Sequence, residues 1–298
     1  MKQSKDTTTT MKTGKTARIV IFIVLLVLAV SIVVPVAWVF LASIKQNSEF
    51  YGSPWTLPKG IHLQNFSDAF LKANMGRYFL NSVITTGLAL GILLVVALPA
   101  AYVLSRWKFA TSKFFNILFM GGLFINVNYI VVPIFLMLVD ADRLANSILG
   151  NSVFLNNTFI LSLIYASTAL PFTIYLLGGY FKTLPKAYEE AAYVDGAGYF
   201  RTMTTIIIPM AKPSIITVIL FNFLSFWNEY IIALTLMTAD AGKTLPVGLM
   251  NLMTGQKAAA QYGQMYAGLV IVMLPTLILY IIVQKKLTQG MTIGGLKG

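Results

Sequence analysis

The sequence predicts an all-α integral membrane protein with six membrane-spanning helices. Of its 298 residues, 57% are apolar and only 11% are charged, whereas a soluble domain is about one quarter charged. The apolar residues gather in runs of about 20 or more, the length that crosses a hydrocarbon core ~30 Å thick. Runs such as residues 19–36 do not alternate with polar residues as barrel strands do, so helices are the expected spanning elements.

The predicted spans follow one another along the chain at residues 19–42, 78–104, 114–139, 158–181, 213–237 and 265–284. The first run is longer than the ~7–15 residue core of a cleaved signal peptide, and Trp38 and Phe40 lie near its far end, so we expect it to remain as a helix. The chain is thereby divided into a polar N-terminal tail (1–18), a six-helix transmembrane domain (19–285) and a C-terminal tail (286–298).

The basic residues predict the orientation of these spans. With the N-terminus inside, 15 of the 22 Lys and Arg lie in cytoplasmic segments and 7 lie in outside loops. This bias follows the positive-inside rule and predicts that both termini are cytoplasmic. It also accounts for the net charge of +12 without a nucleic-acid partner.

The cytoplasmic segment at residues 182–212 carries the most information about function. A short helix is predicted over residues 187–194, with two glutamates in its first turn, where carboxylates suit the helix dipole. Asp195-Gly196 is a turn signal that ends this helix. A second helix is expected over residues 197–207, stopped by Pro209. By composition alone, an ordinary amphipathic linker is an equally open interpretation.

The order of residues in this segment resembles the EAA loop of ABC-importer permeases. The matching positions are Glu190-Ala191-Ala192, Gly196, Ile206 and Ile208-Pro209, with Ile208 where the family often has Leu. Nearly the whole chain after the N-terminal tail is similar to the carbohydrate-importer branch, and most similar to the second permease of maltose and maltooligosaccharide importers. The further similar segments are residues 65–66, 79–82, 227–230, 244–249 and 290–298.

The resemblance implies a type I ABC importer permease fold in a bacterial cytoplasmic membrane. It implies alternating access, with the helix of the loop docking onto a separate ATPase. The implied partners are a second permease forming a heterodimer, two ATPase subunits, an extracytoplasmic sugar-binding protein and membrane lipid. No cofactor is expected in this chain, with ATP and Mg bound by the ATPase. The residues expected to couple to the ATPase are Glu189, Glu190, Ala191, Ala192, Asp195, Gly196, Ala197 and Pro209.

The chain lacks the sequence of a nucleotide-hydrolysing enzyme. A phosphate-binding loop requires glycine five residues before Gly-Lys-Ser/Thr. Thr9 and Met237 occupy that position ahead of the two Gly-Lys-Thr fragments, at residues 14–16 and 242–244. His62 is the only histidine, and the chain has no cysteine. We therefore predict a transport subunit that is not itself an enzyme.

A polar face on the fifth span is the candidate translocation path. Asn222, Ser225 and Glu229 are spaced three and four residues apart and share one helix face, with Trp227 and Asn228 beside it. A charge inside a membrane costs about 2.5–3.5 kcal/mol on insertion scales, so Glu229 should face protein or water. Two hypotheses remain open: these side chains bind a sugar in transit, or they bond to neighbouring helices.

Two other classes of function are alternatives. A secondary transporter driven by an ion gradient is expected to show inverted repeats or helices broken at the midplane, and the sequence shows neither clearly. A membrane-embedded enzyme acting on lipid or glycan needs a cluster of carboxylates or histidines near one interface. The sequence offers no such cluster.

Overall fold

The computed structural model describes residues 14–51, 53–258 and 261–295, and in these ranges it contains helices and connecting segments but no strand. Four of the described helices are long and apolar enough to cross a membrane. They are the first, second, fourth and sixth predicted spans: Lys15–Ser43, Met75–Arg106, Thr158–Thr183 and Tyr262–Gln284. The last helix continues to Gly295. Residues 1–13 of the predicted N-terminal tail and 296–298 of the C-terminal tail lie outside the described residues.

The third span is broken, and the prediction of one continuous helix over residues 114–139 is wrong. It consists of Ser112–Gly122 and Val127–Leu149, with a bend of 103° between them. Asn126 causes the break, because its backbone is extended and its side chain accepts a hydrogen bond from the backbone N–H of Asn128 at 3.0 Å. Asparagine at such a position starts a new helix.

The fifth span is also interrupted, and its prediction as one helix over residues 213–237 is wrong. Lys212–Trp227 ends at Asn228, and a separate short helix, Ile231–Leu236, follows. At its start, Lys212–Trp227 meets the preceding helix Tyr199–Met210 at a bend of 76°. Counting each bent pair as one span gives up to six spans in the described chain, the predicted number.

Pro209 does not stop the second helix of the loop, as the sequence had predicted. The helix starts at Tyr199 and continues through Pro209 to Met210. A wide turn over Met203–Ile207 precedes the proline, and the Ile208 N–H bonds to the Met203 carbonyl. Such a π-helical turn changes the hydrogen-bond pattern where proline lacks a donor, so the helix bends at Ala211 instead.

The centre of the bundle is the packing of the second span against the fourth. Every fourth residue of the second span, from Ala89 through Leu93 and Ala97 to Ala101, is buried on this side. The small alanines allow the two helices to approach closely. The hydroxyl of Ser162 on the fourth span donates to the Thr85 carbonyl at 3.1 Å and so ties the two helices together.

The loop between the first and second spans folds around Lys45, whose side chain is fully buried. Its ammonium group donates to the carbonyls of Pro54 and Thr56 at 3.0 and 2.8 Å and lies over the rings of Trp38 and Phe50. Oxygen acceptors and aromatic faces together replace the water that a buried cation loses. The loop is therefore an ordered structure on top of the bundle.

Candidate functional site

The loop between the fourth and fifth spans contains a short helix, Ala187–Val194, which we call the loop helix. Its end is closed by two hydrogen bonds, from the Gly196 N–H to the Tyr193 carbonyl at 3.0 Å and from the Ala197 N–H to the Ala192 carbonyl at 2.8 Å. Gly196 has a φ of 77°, which permits this reversal. The predicted helix and the turn at Asp195-Gly196 are therefore confirmed.

The loop helix presents a mixed polar and apolar face to the outside of the chain. Glu190, Ala191 and Asp195 are exposed, and the side chain of Val194 is 87% exposed. Ala192 is buried and packs toward the bundle. The exposed residues predicted to couple to an ATPase thus share one accessible surface, which Tyr188 and Tyr193 extend.

Glu189 differs from the other predicted coupling residues because its carboxylate points into the chain. It accepts a hydrogen bond from the Tyr102 hydroxyl at 2.8 Å and pairs with Arg106 Nε at 3.3 Å. Both partners lie at the C-terminal end of the second span. Neither Tyr102 nor Arg106 was singled out from the sequence, although their spacing of four residues places them on one helix face.

Within the membrane region, Asn222, Ser225 and Glu229 line one cavity of about 440 Å³, together with Asn128 and Tyr165. The structure therefore brings together the three residues that the sequence placed on one face. The cavity combines amide, hydroxyl and carboxylate groups with aromatic walls. Such a lining can accept and donate hydrogen bonds while covering an apolar face of a small molecule.

The polar groups of this cavity also bind the protein itself. Glu229 accepts hydrogen bonds from the backbone N–H groups of Ile232 and Ala233 at 2.7 and 3.0 Å and from the Tyr165 hydroxyl at 2.6 Å. The carboxylate therefore caps the helix Ile231–Leu236 and joins it to the fourth span. Asn222, also buried, donates to the Thr173 hydroxyl at 3.0 Å.

Trp227 and Asn228 lie apart from the cavity. Trp227 is only 2% exposed and belongs to a separate apolar cluster, and its indole N–H donates to the Val272 carbonyl at 3.2 Å. The side-chain amide of Asn228 donates to the Leu224 carbonyl of its own helix. Neither side chain lines the cavity.

A larger cavity of about 930 Å³ lies near the C-terminal ends of the second and fourth spans and the N-terminal end of the fifth span. Ser105, Asn116 and Thr217 supply polar groups to its wall. Phe172 and Phe221 line both cavities and contact each other edge to face, with ring centroids 6.1 Å apart. These two phenylalanines therefore lie between the larger cavity and the smaller cavity that Glu229 lines.

Comparison with known families identifies the family to which this fold belongs. Residues 11–293 match the family described as the inner membrane component of binding-protein-dependent transport systems. The chain belongs to this family. The permease has the all-helical fold predicted from its sequence, and the match agrees with a multi-pass inner membrane protein.

Relatives of the permease extend over most of its length. The diacetylchitobiose uptake system permease protein NgcG of Streptomyces coelicolor is 33% identical over 89% of this chain and 84% of its own. The trehalose/maltose transport system permease protein MalG of Thermococcus litoralis is 31% identical over 91% of this chain and 93% of its own. A crystal structure of a bacterial ABC transporter that imports the acidic polysaccharide alginate covers 92% of the permease and 98% of the matched chain, with a TM-score of 0.76 and 25% identity.

The broken third and fifth spans bear on the ion-driven alternative. Interrupted helices were expected of a secondary transporter, and the structure has two bent pairs in a member of the binding-protein-dependent family. Broken helices therefore do not separate the two classes, whereas the family match favours binding-protein-dependent transport.

Proposed function

We propose that the permease is one transmembrane subunit of an ATP-driven importer and that it moves a sugar or oligosaccharide by alternating access. The loop helix carries the proposal, because it is an exposed helix with a closed end and an internal anchor at Glu189. A docked rigid helix makes different contacts in the two states of a partner, which is the requirement for coupling.

The proposed partners follow from the family and from the relatives. They are a second, different permease, two ATPase subunits that bind Mg and ATP, and an extracytoplasmic sugar-binding protein. The relatives' names refer to diacetylchitobiose and trehalose/maltose systems. The lining of the smaller cavity agrees with a carbohydrate cargo, because amide and hydroxyl groups bond sugar hydroxyls and aromatic rings cover the sugar face.

In this mechanism the permease provides the pathway and the contacts with its partners, and it catalyses no chemical reaction. Closure of the ATPase pair moves the loop helix and with it the second and fourth spans. These two spans move together because they are packed against each other. The permease then faces outward and accepts sugar from the binding protein. Separation of the ATPase pair after hydrolysis restores the inward-facing arrangement.

The first test is co-purification of tagged permease in a mild detergent. We expect a second permease and an ATPase with the wild type, and about a tenfold lower recovery of ATPase with Glu190→Lys, because the substitution reverses a charge on the docking face. Gly196→Asp should likewise be inserted in the membrane but transport poorly. Asp140→Lys, a charge reversal at an exposed carboxylate outside the loop, is the control and should retain the ATPase.

Energy dependence separates this proposal from its alternatives. Uptake should stop when ATP is depleted at a maintained ion gradient. Uptake that survives ATP depletion favours the ion-driven transporter, and chemically altered cargo favours the membrane enzyme. Normal uptake by both loop variants contradicts the proposed coupling site.

A further inference from the structure

Three polar side chains from two separate elements meet beneath the loop helix. One carboxylate oxygen of Glu189, on the loop helix, accepts a hydrogen bond from the Tyr102 hydroxyl at 2.8 Å. The same oxygen lies 3.3 Å from Nε of Arg106. Glu189 and Tyr102 are 87 residues apart in the sequence. The contact is the polar connection between the loop helix and the second span.

This ion pair is buried, unlike the surface pairs elsewhere in the described chain. The side chains of Arg106 and Glu189 are 5% and 11% exposed, whereas those of Asp140 and Arg143 are 70% and 77% exposed. Exposed pairs contribute little because water screens them. A buried pair is strongly sensitive to loss of one partner, since the remaining charge is left without water or a counter-ion.

The pair has unused hydrogen-bonding capacity. Among the described residues, neither Nε nor Nη2 of Arg106 has an aligned hydrogen-bond acceptor, although both atoms are buried. The hydroxyl of Tyr199, on the helix that follows the loop helix, is buried without a partner as well. Buried unmet donors are costly.

Aromatic rings connect this polar contact to the surrounding helices. The ring of Tyr102 contacts Phe181 of the fourth span and Tyr199, with centroids 5.9 and 5.5 Å apart. Tyr199 also contacts Trp107 at 5.4 Å. The loop helix, the helix after it, and the ends of the second and fourth spans thus meet around one cluster. Ser105 and Lys182, which lie beside this cluster in the chain, line the larger cavity.

We propose that Glu189, Arg106 and Tyr102 form an internal linkage that transmits movement of the loop helix to the second span and so to the wall of the larger cavity. Glu189 is a positioning residue, whereas the neighbouring Glu190 serves the outer docking face. This inference rests on the proposed function and adds a route by which docking reaches the membrane. Two adjacent carboxylates therefore have separate roles.

The test compares neutral variants at the two positions in the assembled transporter. Arg106→Gln combined with Glu189→Gln removes both charges together and leaves no buried charge unpaired. Glu190→Gln is the matched control on the outer face. For each variant, the recovery of ATPase, the rate of ATP hydrolysis and the sugar imported per ATP hydrolysed are measured in proteoliposomes with the binding protein present.

We expect the double variant to recover ATPase as the wild type does but to import about tenfold less sugar per ATP, within the usual range for coupling between two sites. Glu190→Gln should lose ATPase recovery instead. Unchanged sugar import per ATP in the double variant overturns the linkage. Loss of ATPase recovery in the double variant also overturns it, because the three residues would then shape the docking surface only.

Tyr102→Phe keeps the proposal testable if the double variant does not fold. It removes one hydroxyl and retains both charges and the ring contacts, so we expect normal assembly and an intermediate loss of sugar import per ATP. Arg106→Lys, which retains the charge, should restore part of the import that Arg106→Gln loses. Wild-type import per ATP with Tyr102→Phe contradicts the proposal. Absence of an ATPase from the wild-type preparation contradicts the proposed function instead.

Discussion

Glu229 illustrates how much of a residue's role depends on contacts that the sequence does not contain. Its position within an apolar run predicted that it must face protein or water, and the helical spacing grouped it correctly with Asn222 and Ser225. Its partners were not predictable, because Tyr165 comes from another helix and Ile232 and Ala233 become available only where the fifth span breaks. Glu189 is a similar case, since its partner Tyr102 is distant in the sequence.

The contacts of Glu229 lead to a prediction that separates its two hypothetical roles. Tyr165→Phe removes one hydrogen bond to the carboxylate and leaves the two helix-capping bonds, so we expect a loss of stability of about 1.5–3 kcal/mol, as for a bond to a charged group. Glu229→Ala should destabilise more, since it also removes the cap of Ile231–Leu236. Thermal unfolding in detergent measures both effects.

Uptake measured per folded transporter gives the second half of this test. If Glu229 serves structure alone, uptake per folded molecule stays at the wild-type value in Tyr165→Phe. If the cavity binds sugar in transit, uptake falls further than the amount of folded protein does. Asn228→Ala is a suitable control, because its side chain bonds only within its own helix among the described contacts.

At the level of elements, apolar length predicted where spans lie but not where they bend. The runs over residues 114–139 and 213–237 contain polar residues at their breaks, but their mean hydropathy stays high enough for a span, so hydropathy cannot detect a change of direction. The local signals were Asn126, which can start a helix, and Glu229, which caps one. At Pro209 the sequence predicted an end where the helix continues, because the preceding wide turn accommodates the proline.

The loop after the first span, which the sequence predicts to lie outside, provides a prediction at this level. The carboxylate of Glu49 accepts hydrogen bonds from the backbone N–H groups of Gln46 and Lys59 at 3.0 and 2.9 Å, and so joins the beginning of the loop to its middle. These bonds, with nearby Lys45 and Lys59, hold the pKa of Glu49 below its usual value of 4.5. The ionised carboxylate is therefore the form that stabilises the folded loop.

The sign of the pH effect follows from that lowered pKa. Because the folded pKa lies below the unfolded one, the contribution is present above pH 4.5 and is lost as pH falls through the folded pKa. We expect the loop to become more susceptible to an acid-active protease as pH falls below 4.5, and Glu49→Gln to be susceptible at neutral pH also. A loop equally resistant in both proteins at every pH contradicts this role.

For the whole molecule, the number of crossings determines which side of the membrane holds the loop helix. Four described helices cross without interruption, and six spans result if each bent pair crosses as one. Both counts are even, so both place the N- and C-termini on the same side. They differ in the middle of the chain: six crossings place the loop helix on the side of the termini, and four place it on the opposite side.

Introduced cysteines distinguish these topologies, because the chain has no cysteine of its own. With six spans and the predicted orientation, Lys186→Cys at the loop helix should be protected from a membrane-impermeant thiol reagent in intact cells, and Ser152→Cys, between the third and fourth spans, should react. With four spans, Lys186→Cys should react and Ser152→Cys should be protected. Ser48→Cys in the first outside loop should react in either case and is the control.

The excess of Lys and Arg around the loop helix favours six spans, since positive segments stay in the cytoplasm. Reaction at Lys186→Cys in intact cells would remove the loop helix from any cytoplasmic ATPase and would contradict the proposed function at its starting point.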